Sequence, residues 1–273
     1  MFTIKFAGTA QMAAVMAFAL SVTANAQDER PPRDEPLFDS WSIATGVDYS
    51  SGDFGLDLGN TDTIYAYAQA DVDIDRLRLR VTVPWLDIEG PQSVTGGTGD
   101  PVITNPDGGT ETSVSGLGDI ILQAGYLWGS PSNPLPYMET VVKVKVPTAN
   151  ENKGLGTGKT DYSLQADIFD RYGVVTPFAT IGWRKFGDPE TFELKNTFFA
   201  SGGLSIAVSE QFSFGAAVDW REAASLNAED ALEASPFATL RLGPNWRLTG
   251  YGVFGFKDGS PDAGGGVQLR YRY

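Results

Sequence analysis

Hydrophobic and polar residues alternate along most of this chain beyond residue 40. In the segment RLRLRVTVPW, from 76 to 85, leucine, valine and tryptophan occupy every second position, and arginine, threonine and proline occupy the others. Such alternation predicts β-strands whose two faces contact different surroundings. Twelve segments of this kind predict strands near residues 41–50, 62–73, 76–87, 117–128, 137–147, 160–170, 173–185, 197–208, 211–221, 232–242, 245–257 and 264–273.

The connections between the predicted strands alternate in length. Those after the odd-numbered strands are mostly long, whereas those after the even-numbered strands are short and lie around 73–75, 129–136, 171–172, 209–210 and 243–244. Short turns at one end, longer loops at the other and an even strand number are typical of bacterial outer-membrane barrels. The pattern predicts an all-β fold, a twelve-stranded antiparallel transmembrane β-barrel with short periplasmic turns and long extracellular loops.

A soluble β-sandwich is the alternative architecture, because its strands also alternate. The predicted strands, however, are roughly twice as long as the usual strand of about 5 to 6 residues, and about 9 to 11 tilted residues cross a bilayer. A closed barrel also leaves no backbone unpaired in lipid. Aromatic residues near the strand ends further favour a membrane barrel with two interfacial girdles. They include Trp41, Trp85, Trp128, Trp183, Trp220 and Trp246.

The beginning of the chain is typical of a secreted protein. Lys5 precedes an apolar run over 12–22, and Ala24-Asn25-Ala26 has the small-x-small pattern of a signal peptidase site. The alternative, an uncleaved anchor, is disfavoured because the run is shorter than the roughly 20 residues of a spanning helix. We therefore predict a cleaved signal peptide over 1–26, a flexible periplasmic lead over 27–37 and an outer-membrane β-barrel over 38–273.

Composition excludes several classes of function. The chain has 20 basic and 34 acidic residues and a formal net charge of −14, which argues against binding to nucleic acid. It has neither cysteine nor histidine, so no disulfide framework exists, and the histidine that outer-membrane phospholipases, omptin-type proteases and palmitoyl transferases use is missing. We expect no enzymatic activity, no catalytic residue and no cofactor.

Two short motifs resemble ligand sites but lack required residues. GLGTGKT, from 154 to 160, has Lys153 where a phosphate-binding P-loop needs its first glycine, and a predicted strand follows it rather than a helix. DVDIDR, from 71 to 76, begins like a calcium loop, but Arg76 replaces the glycine and Thr82 replaces the final glutamate. We therefore predict no nucleotide site and no metal site.

The polar face of the predicted strands carries charges of both signs, which we expect to line the lumen. The predicted lumen-lining cations are Arg78, Arg80, Lys143, Lys145, Arg184, Arg241, Arg247, Arg270 and Arg272. The predicted lumen-lining carboxylates are Asp48, Asp71, Asp119, Glu139, Asp161, Asp167, Asp219 and Glu233. Because the two signs are nearly balanced there, most of the net negative charge must lie in the loops and termini.

Neighbouring strands predict which of these charges meet. The last strand has to pair with the first to close the barrel, so Arg270 and Arg272 are expected to meet Asp48. Asp119 and Asp161 lie on the two strands beside the one that carries both predicted lumen lysines. We expect these carboxylates to flank that lysine strand.

The chain ends on GVQLRYRY, which alternates like the other strands. Val267, Leu269, Tyr271 and Tyr273 lie on its apolar side. An alternating strand with a terminal aromatic residue resembles the carboxy-terminal signature of outer-membrane proteins, which the barrel-assembly machinery recognises. We therefore predict that Tyr271 and Tyr273 form an assembly signal.

Three segments of the chain carry a family pattern: SGLGDIILQAGY at 115–126, VVKVKVPTAN at 141–150 and NKGLGTGKTDYSLQADI at 152–168. Together they resemble the outer-membrane family described as MetA-pathway of phenol degradation proteins. The chain departs from the family pattern at Ala149 and Asn150, where a glycine and an acidic residue are expected. The resemblance implies passive passage of small hydrophobic or aromatic compounds through the barrel.

The expected function is therefore a narrow passive channel in the bacterial outer membrane for small, hydrophobic or aromatic solutes. Its expected partners are the outer-membrane lipid, the barrel-assembly machinery and a small-molecule solute. The alternative is a structural barrel with a closed lumen, whose extracellular loops bind a ligand or partner. The number of strands leaves both open, because twelve lies between the eight or so that side chains fill and the sixteen or more that leave a channel.

Overall fold

The structure is a computed structural model, and it describes residues 40–53, 59–91, 94–95, 102–103, 111–129, 135–189, 193–225 and 228–273. The predicted signal peptide, 1–26, and the predicted periplasmic lead, 27–37, lie outside the described residues and stay predictions. Within the described residues, no helix has the length and apolar character needed to cross a membrane.

Strands account for almost all regular structure in the described part of the chain. The first seven are β1 (Ser40–Gly52), β2 (Thr61–Ile74), β3 (Leu77–Pro91), β4 (Val94–Thr95), β5 (Val102–Ile103), β6 (Glu111–Leu117) and β7 (Ile120–Trp128). The others are β8 (Tyr137–Val146), β9 (Asp161–Phe169), β10 (Val175–Lys185), β11 (Thr197–Ala207), β12 (Phe212–Arg221), β13 (Ala231–Arg241), β14 (Trp246–Gly255) and β15 (Ala263–Arg272). A short 3₁₀ helix, Glu151–Lys153, lies between β8 and β9.

The strands close into one antiparallel barrel. Each wall strand pairs with its neighbours in sequence, and β1 also pairs with β15, from Ser42 opposite Arg272 to Ser51 opposite Ala263. Strands β6 and β7 both pair with β3 and together form one wall strand, which Gly118 and Asp119 interrupt. Strands β4 and β5 pair only with each other, outside the wall. The predicted twelve-stranded barrel is therefore confirmed.

Short and long connections lie at opposite ends of the barrel. At one end, which we call the turn end, Asp75 and Arg76 alone separate β2 from β3, and Asp75 takes a left-handed conformation with φ of 51°. At the other end, the loop end, the links include 147–160, 186–196 and 222–230. The predicted strand limits differ most at the fourth wall strand, which begins at Glu111 rather than near 117.

Lipid-facing side chains form the apolar outer surface. Along β3, Leu79, Val81 and Val83 are exposed, while the arginine, threonine and proline that directly follow them point inward and are buried. At the turn end, the exposed rings of Trp41 and Tyr273 stack with centroids 5.5 Å apart. This arrangement matches the interfacial aromatic girdle of a membrane barrel.

The carboxyl terminus is held in this girdle. The backbone N–H of Tyr273 donates to the carbonyl of Trp41 at 3.0 Å, and the Tyr271 ring lies 5.0 Å from that of Trp246. The terminal strand is therefore paired to its last residues. The role of Tyr271 and Tyr273 in assembly stays a prediction.

Candidate functional site

The charged residues predicted for the lumen lie on the inward face of the wall strands or, for Asp119, in the interruption between β6 and β7. Their lipid-facing neighbours are mostly exposed, whereas most of these charges are buried. Some of them form a group at the turn end, and others form a group at the loop end. The strand register decides which charges meet within each group.

Two carboxylates of β2 organise the turn end. Asp71 accepts a hydrogen bond from the Nε of Arg80 and another from the Nη1 of Arg270 at 3.0 Å. Asp73 accepts from the Nε of Arg78 at 2.8 Å, and its second oxygen lies 3.6 Å from the Nη2 of Arg272. Ion pairs across three strands therefore tie β2, β3 and β15 together, and they lie where the barrel closes.

The predicted contact of Arg270 and Arg272 with Asp48 is wrong. In the register of β1 and β15, Asp48 lies opposite Gly266, whereas Arg270 lies opposite Ala44. Four residues of extended strand, roughly 13 Å at about 3.3 Å per residue, therefore separate Asp48 from the arginine. Both arginines instead reach carboxylates of β2 nearer the turn end.

Lys145 organises the loop end, beside the interruption between β6 and β7. Its Nζ lies 3.1 Å from Oδ2 of Asp119 and 2.8 Å from Oδ2 of Asp161, and it donates to Oγ1 of Thr157 at 3.0 Å. Lys145 and both carboxylates are at most 3% exposed. The expectation that these carboxylates flank the lysine strand is confirmed for Lys145. Lys143 has no ion pair within the described residues and is partly exposed.

The loop over 147–160 folds inward above this lysine. Ala149 donates its N–H to Oδ1 of Asp119 at 2.9 Å, and Leu155, 2% exposed, packs in a cluster that includes Leu86 and Ile88 of β3. A Cβ at position 156 would lie 2.7 Å from Oδ2 of Asp119, so glycine is needed there for the loop to approach the carboxylate. The loop covers part of the interior at the loop end.

The three segments that carry the family resemblance meet at this point. Asp119 comes from the first segment, Lys145 from the second, and Thr157 and Asp161 from the third. Residues 44–273 match the model of the family described as MetA-pathway of phenol degradation. The chain belongs to this family.

Solved structures of low sequence identity share the barrel fold. The COG4313 outer membrane channel from Pseudomonas putida F1 is 14% identical over 90% of this chain and 100% of that chain, with a TM-score of 0.68. The translocator domain of the autotransporter NalP from Neisseria meningitidis is 12% identical over 97% of each chain, with a TM-score of 0.52. No curated protein matches the sequence. The closed barrel, its apolar outer surface and the family match place the protein in the bacterial outer membrane.

In this family member, the remaining predicted charges have separate surroundings. Asp167 accepts from Gln165 and, at 2.7 Å, from Oγ1 of Thr180. Glu233 lies 2.7 Å from the Nη2 of Arg221, a lumen cation that the sequence reasoning missed although Arg221 shares the parity of the predicted Asp219. The Arg184 guanidinium lies 5.5 Å from the centre of the Phe186 ring.

Three predicted arginines follow one another across the wall near the turn end. Arg241 faces Arg247 on the next strand, and Arg247 faces Arg270 on the strand after that. Like charges directly opposite one another are unfavourable in a sheet. Of the three, Arg270 is the most buried. Its link to Asp71 compensates part of this repulsion.

The sequence reasoning also missed the aromatic part of the interior. Tyr65 and Tyr67 of β2 point inward with ring centroids 5.6 Å apart, and both are 6% exposed. Phe178 and Phe237 lie 6.3 Å apart and pack with Tyr251. Strand parity could have found these rings, because each lies on the same face as a predicted lumen charge of its strand. The interior therefore contains aromatic rings as well as charges.

No group of three or more side chains within the described residues is arranged to hold a metal ion.

Proposed function

We propose that the protein is a narrow passive channel for small, hydrophobic or aromatic solutes. The observation that carries this proposal is the inward-facing aromatic lining formed by Tyr65, Tyr67, Phe178, Phe237 and Tyr251. A solute with an apolar body gains contact area on such rings, and a few polar groups beside them set its orientation, which is the usual composition of a small-molecule site.

The charged residues of the turn end have a second role in this proposal. A solute that leaves the aromatic region meets Tyr67, whose hydroxyl accepts from Nε2 of Gln268 at 2.7 Å, and then Arg270 and Arg247. Rings of charged side chains set the selectivity of many pores. We therefore propose that the predicted lumen-lining charges act on the passing solute, and that the protein performs no catalysis and uses no cofactor.

A structural barrel with a closed lumen is the second candidate. The inward-folded loop at 147–160 and the burial of most inward side chains favour it. In that case the charges only tie the wall strands together, and function lies in the loops. Current through a single refolded barrel separates the two candidates, because only a channel conducts.

The first test is single-channel recording in a planar bilayer with the wild-type barrel and the R270A/R272A double variant. We expect discrete current steps from both and a shift towards cation selectivity in the variant, because two inward positive charges are removed. The control variant K153A/K257A removes two exposed charges of the loop end and should leave selectivity nearly unchanged, since salt screens exposed charges. A folded barrel that carries no current would contradict the channel and favour the structural barrel.

A separate prediction concerns the carboxyl terminus. We expect Y273S to lower the amount of assembled barrel in cells several-fold while refolding in detergent proceeds as for the wild type, because only assembly in cells requires recognition of the terminal ring. The control is Y162S, which removes an exposed ring elsewhere in the wall. Heat-modifiable mobility of membrane fractions on gels measures both. If both variants lose the same amount of folded barrel, in cells and in detergent, then Tyr273 contributes only packing and is not an assembly signal.

A further inference from the structure

Asp48 is a buried carboxylate whose negative charge has no basic partner among the described residues. It is 5% exposed, and its Oδ2 atom has no hydrogen-bond partner in the described part of the chain. Its Oδ1 accepts a hydrogen bond from the hydroxyl of Tyr251. Burying a carboxylate without a counter-charge is unfavourable, so this arrangement requires a reason.

Most other buried lumen carboxylates have a basic partner. Asp71, Asp119, Asp161 and Glu233 each lie within 3.1 Å of an arginine or lysine nitrogen. Asp167 instead accepts three hydrogen bonds from Gln165 and Thr180. Asp219 has a serine donor and lies opposite Glu233, whose partner is an arginine. Asp48 differs because its neighbours are aromatic.

Three tyrosines surround Asp48, and we call them the tyrosine cage: Tyr65, Tyr67 and Tyr251. Tyr65 lies opposite Asp48 on β2, and Tyr67 is the next inward residue of that strand. On the other side, Gly266 lies opposite both Asp48 and Tyr251. A Cβ at position 266 would lie 2.0 Å from Oδ1 of Asp48 and 2.9 Å from the Tyr251 hydroxyl. Glycine therefore leaves the room in which the carboxylate and the third ring meet.

The cage has fixed rings and one more accessible ring. Tyr65 and Tyr67 are buried against each other, and Tyr67 is also held by Gln268 at 2.7 Å. Tyr251 is partly exposed. A solute that reaches Asp48 therefore passes Tyr251. The hydrogen bond from the Tyr251 hydroxyl to Asp48 must then weaken or break. Tyr251 competes with any ligand for this carboxylate.

From this geometry we propose that Asp48 and the tyrosine cage bind the protonated amino group of a small organic amine. An ammonium group neutralises the carboxylate, donates to the unpartnered Oδ2 and is attracted by the faces of the rings. A neutral hydroxyl supplies the hydrogen bond but leaves the charge uncompensated, and a carboxylate is repelled. The inference deepens the proposed channel function, because it names which aromatic solutes the interior retains.

The test is an equilibrium titration of the refolded barrel in detergent with three ligands of similar shape: benzylammonium, benzyl alcohol and benzoate. We expect benzylammonium to bind at least about tenfold more tightly than benzyl alcohol, a ratio that corresponds to ~1.4 kcal/mol. Benzoate should show no binding. Equal affinities for the ammonium and the alcohol would overturn the proposal, as would displacement of benzylammonium by an equal concentration of potassium chloride.

Two variants of the site should act in opposite directions. D48N should weaken benzylammonium binding at least about tenfold, again ~1.4 kcal/mol, because the charge is lost while the shape is kept. Y251F keeps the ring but removes the competing donor, so affinity should rise. The control E210Q neutralises an exposed carboxylate in the turn between β11 and β12 and should leave affinity within about twofold. A D48N variant that binds as tightly as the wild type would contradict the assignment.

The outcome can be separated from that of the channel proposal. If benzylammonium binding depends on Asp48 but the barrel carries no current, the amine site is supported and the channel proposal is contradicted. If the barrel carries current but shows no preference for the ammonium ligand, the channel proposal is supported and the amine site is contradicted. If D48N does not fold, the ranking of the three ligands on the wild-type barrel still decides, because that ranking needs no variant.

Discussion

The K145M variant is expected to lower the free energy of unfolding by about 3–5 kcal/mol, the usual cost of removing one partner from a buried ion pair. Lys145 is the only cation within 4.0 Å of both Asp119 and Asp161 in the described residues, and all three side chains are almost fully buried. Methionine has a side chain of similar length but no charge, so the two carboxylates would face each other without a counter-charge. Denaturant unfolding in detergent or lipid, followed by tryptophan fluorescence, measures the loss.

Lys143 provides the matched control for this experiment. It lies two residues away on the same inward face, is partly exposed and has no ion pair within the described residues, so K143M should cost less than about 1 kcal/mol. Neutralising the carboxylates as well, in K145M/D119N/D161N, should recover much of the loss, because no uncompensated charge then remains. Equal losses in K145M and K143M would show that the buried ion pairs contribute little to stability.

The L155S variant is expected to increase single-channel conductance, the second large effect. Leu155 holds the inward-folded loop against Tyr65, Tyr67, Leu86 and Ile88, and it is 2% exposed. Removing such a buried side chain costs about 2–5 kcal/mol. Because Leu155 lies in a loop, we expect this cost to detach the loop from the barrel interior and to leave the barrel itself folded. We expect conductance to rise by a factor of about two or more if the loop narrows the loop end.

The control lies two residues earlier in the same loop. Lys153 is exposed, so K153S changes the loop chemically without touching the apolar cluster and should leave conductance unchanged. Replacing the loop residues 150–159 by a short glycine-serine link should reproduce or exceed the effect of L155S. Unchanged conductance in that shortened barrel would show that the loop does not narrow the passage.

These two predictions explain what the family segments do physically. The threonine of the Pro-Thr pair in the second segment, Thr148, accepts from the N–H of Ile120 at 2.9 Å and donates to the carbonyl of Gly118 at 3.1 Å. Both partners belong to the first segment: Gly118 lies in the interruption between β6 and β7, and Ile120 begins β7. Gly156 of the third segment lets the loop approach Asp119 closely. The segments therefore hold one loop inside the barrel.

Local patterns determined the fold from the sequence. The patterns were the alternation along β3 and β9, aromatic residues such as Trp41 and Trp128 at strand ends, and the short connection predicted around 73–75. Each of them involves only residues that are close together in the sequence. Because a strand in a barrel has one lipid face and one inward face, parity alone assigns each side chain to its side. The same parity placed the predicted charges inside, and it would have placed the tyrosine cage there had it been applied to aromatic residues.

Contacts between strands were decided only by the tertiary structure. Parity predicts that Asp48 and Arg270 face inward, but it does not predict their positions along the barrel axis. The stagger of β1 against β15 sets which inward residues lie opposite each other. That stagger places Gly266 beside Asp48 and moves Arg270 to Asp71. The inward course of the loop at 147–160 depends likewise on Lys145 and Leu155 finding partners on other strands. Such partners are distant in sequence, so no local pattern contains them.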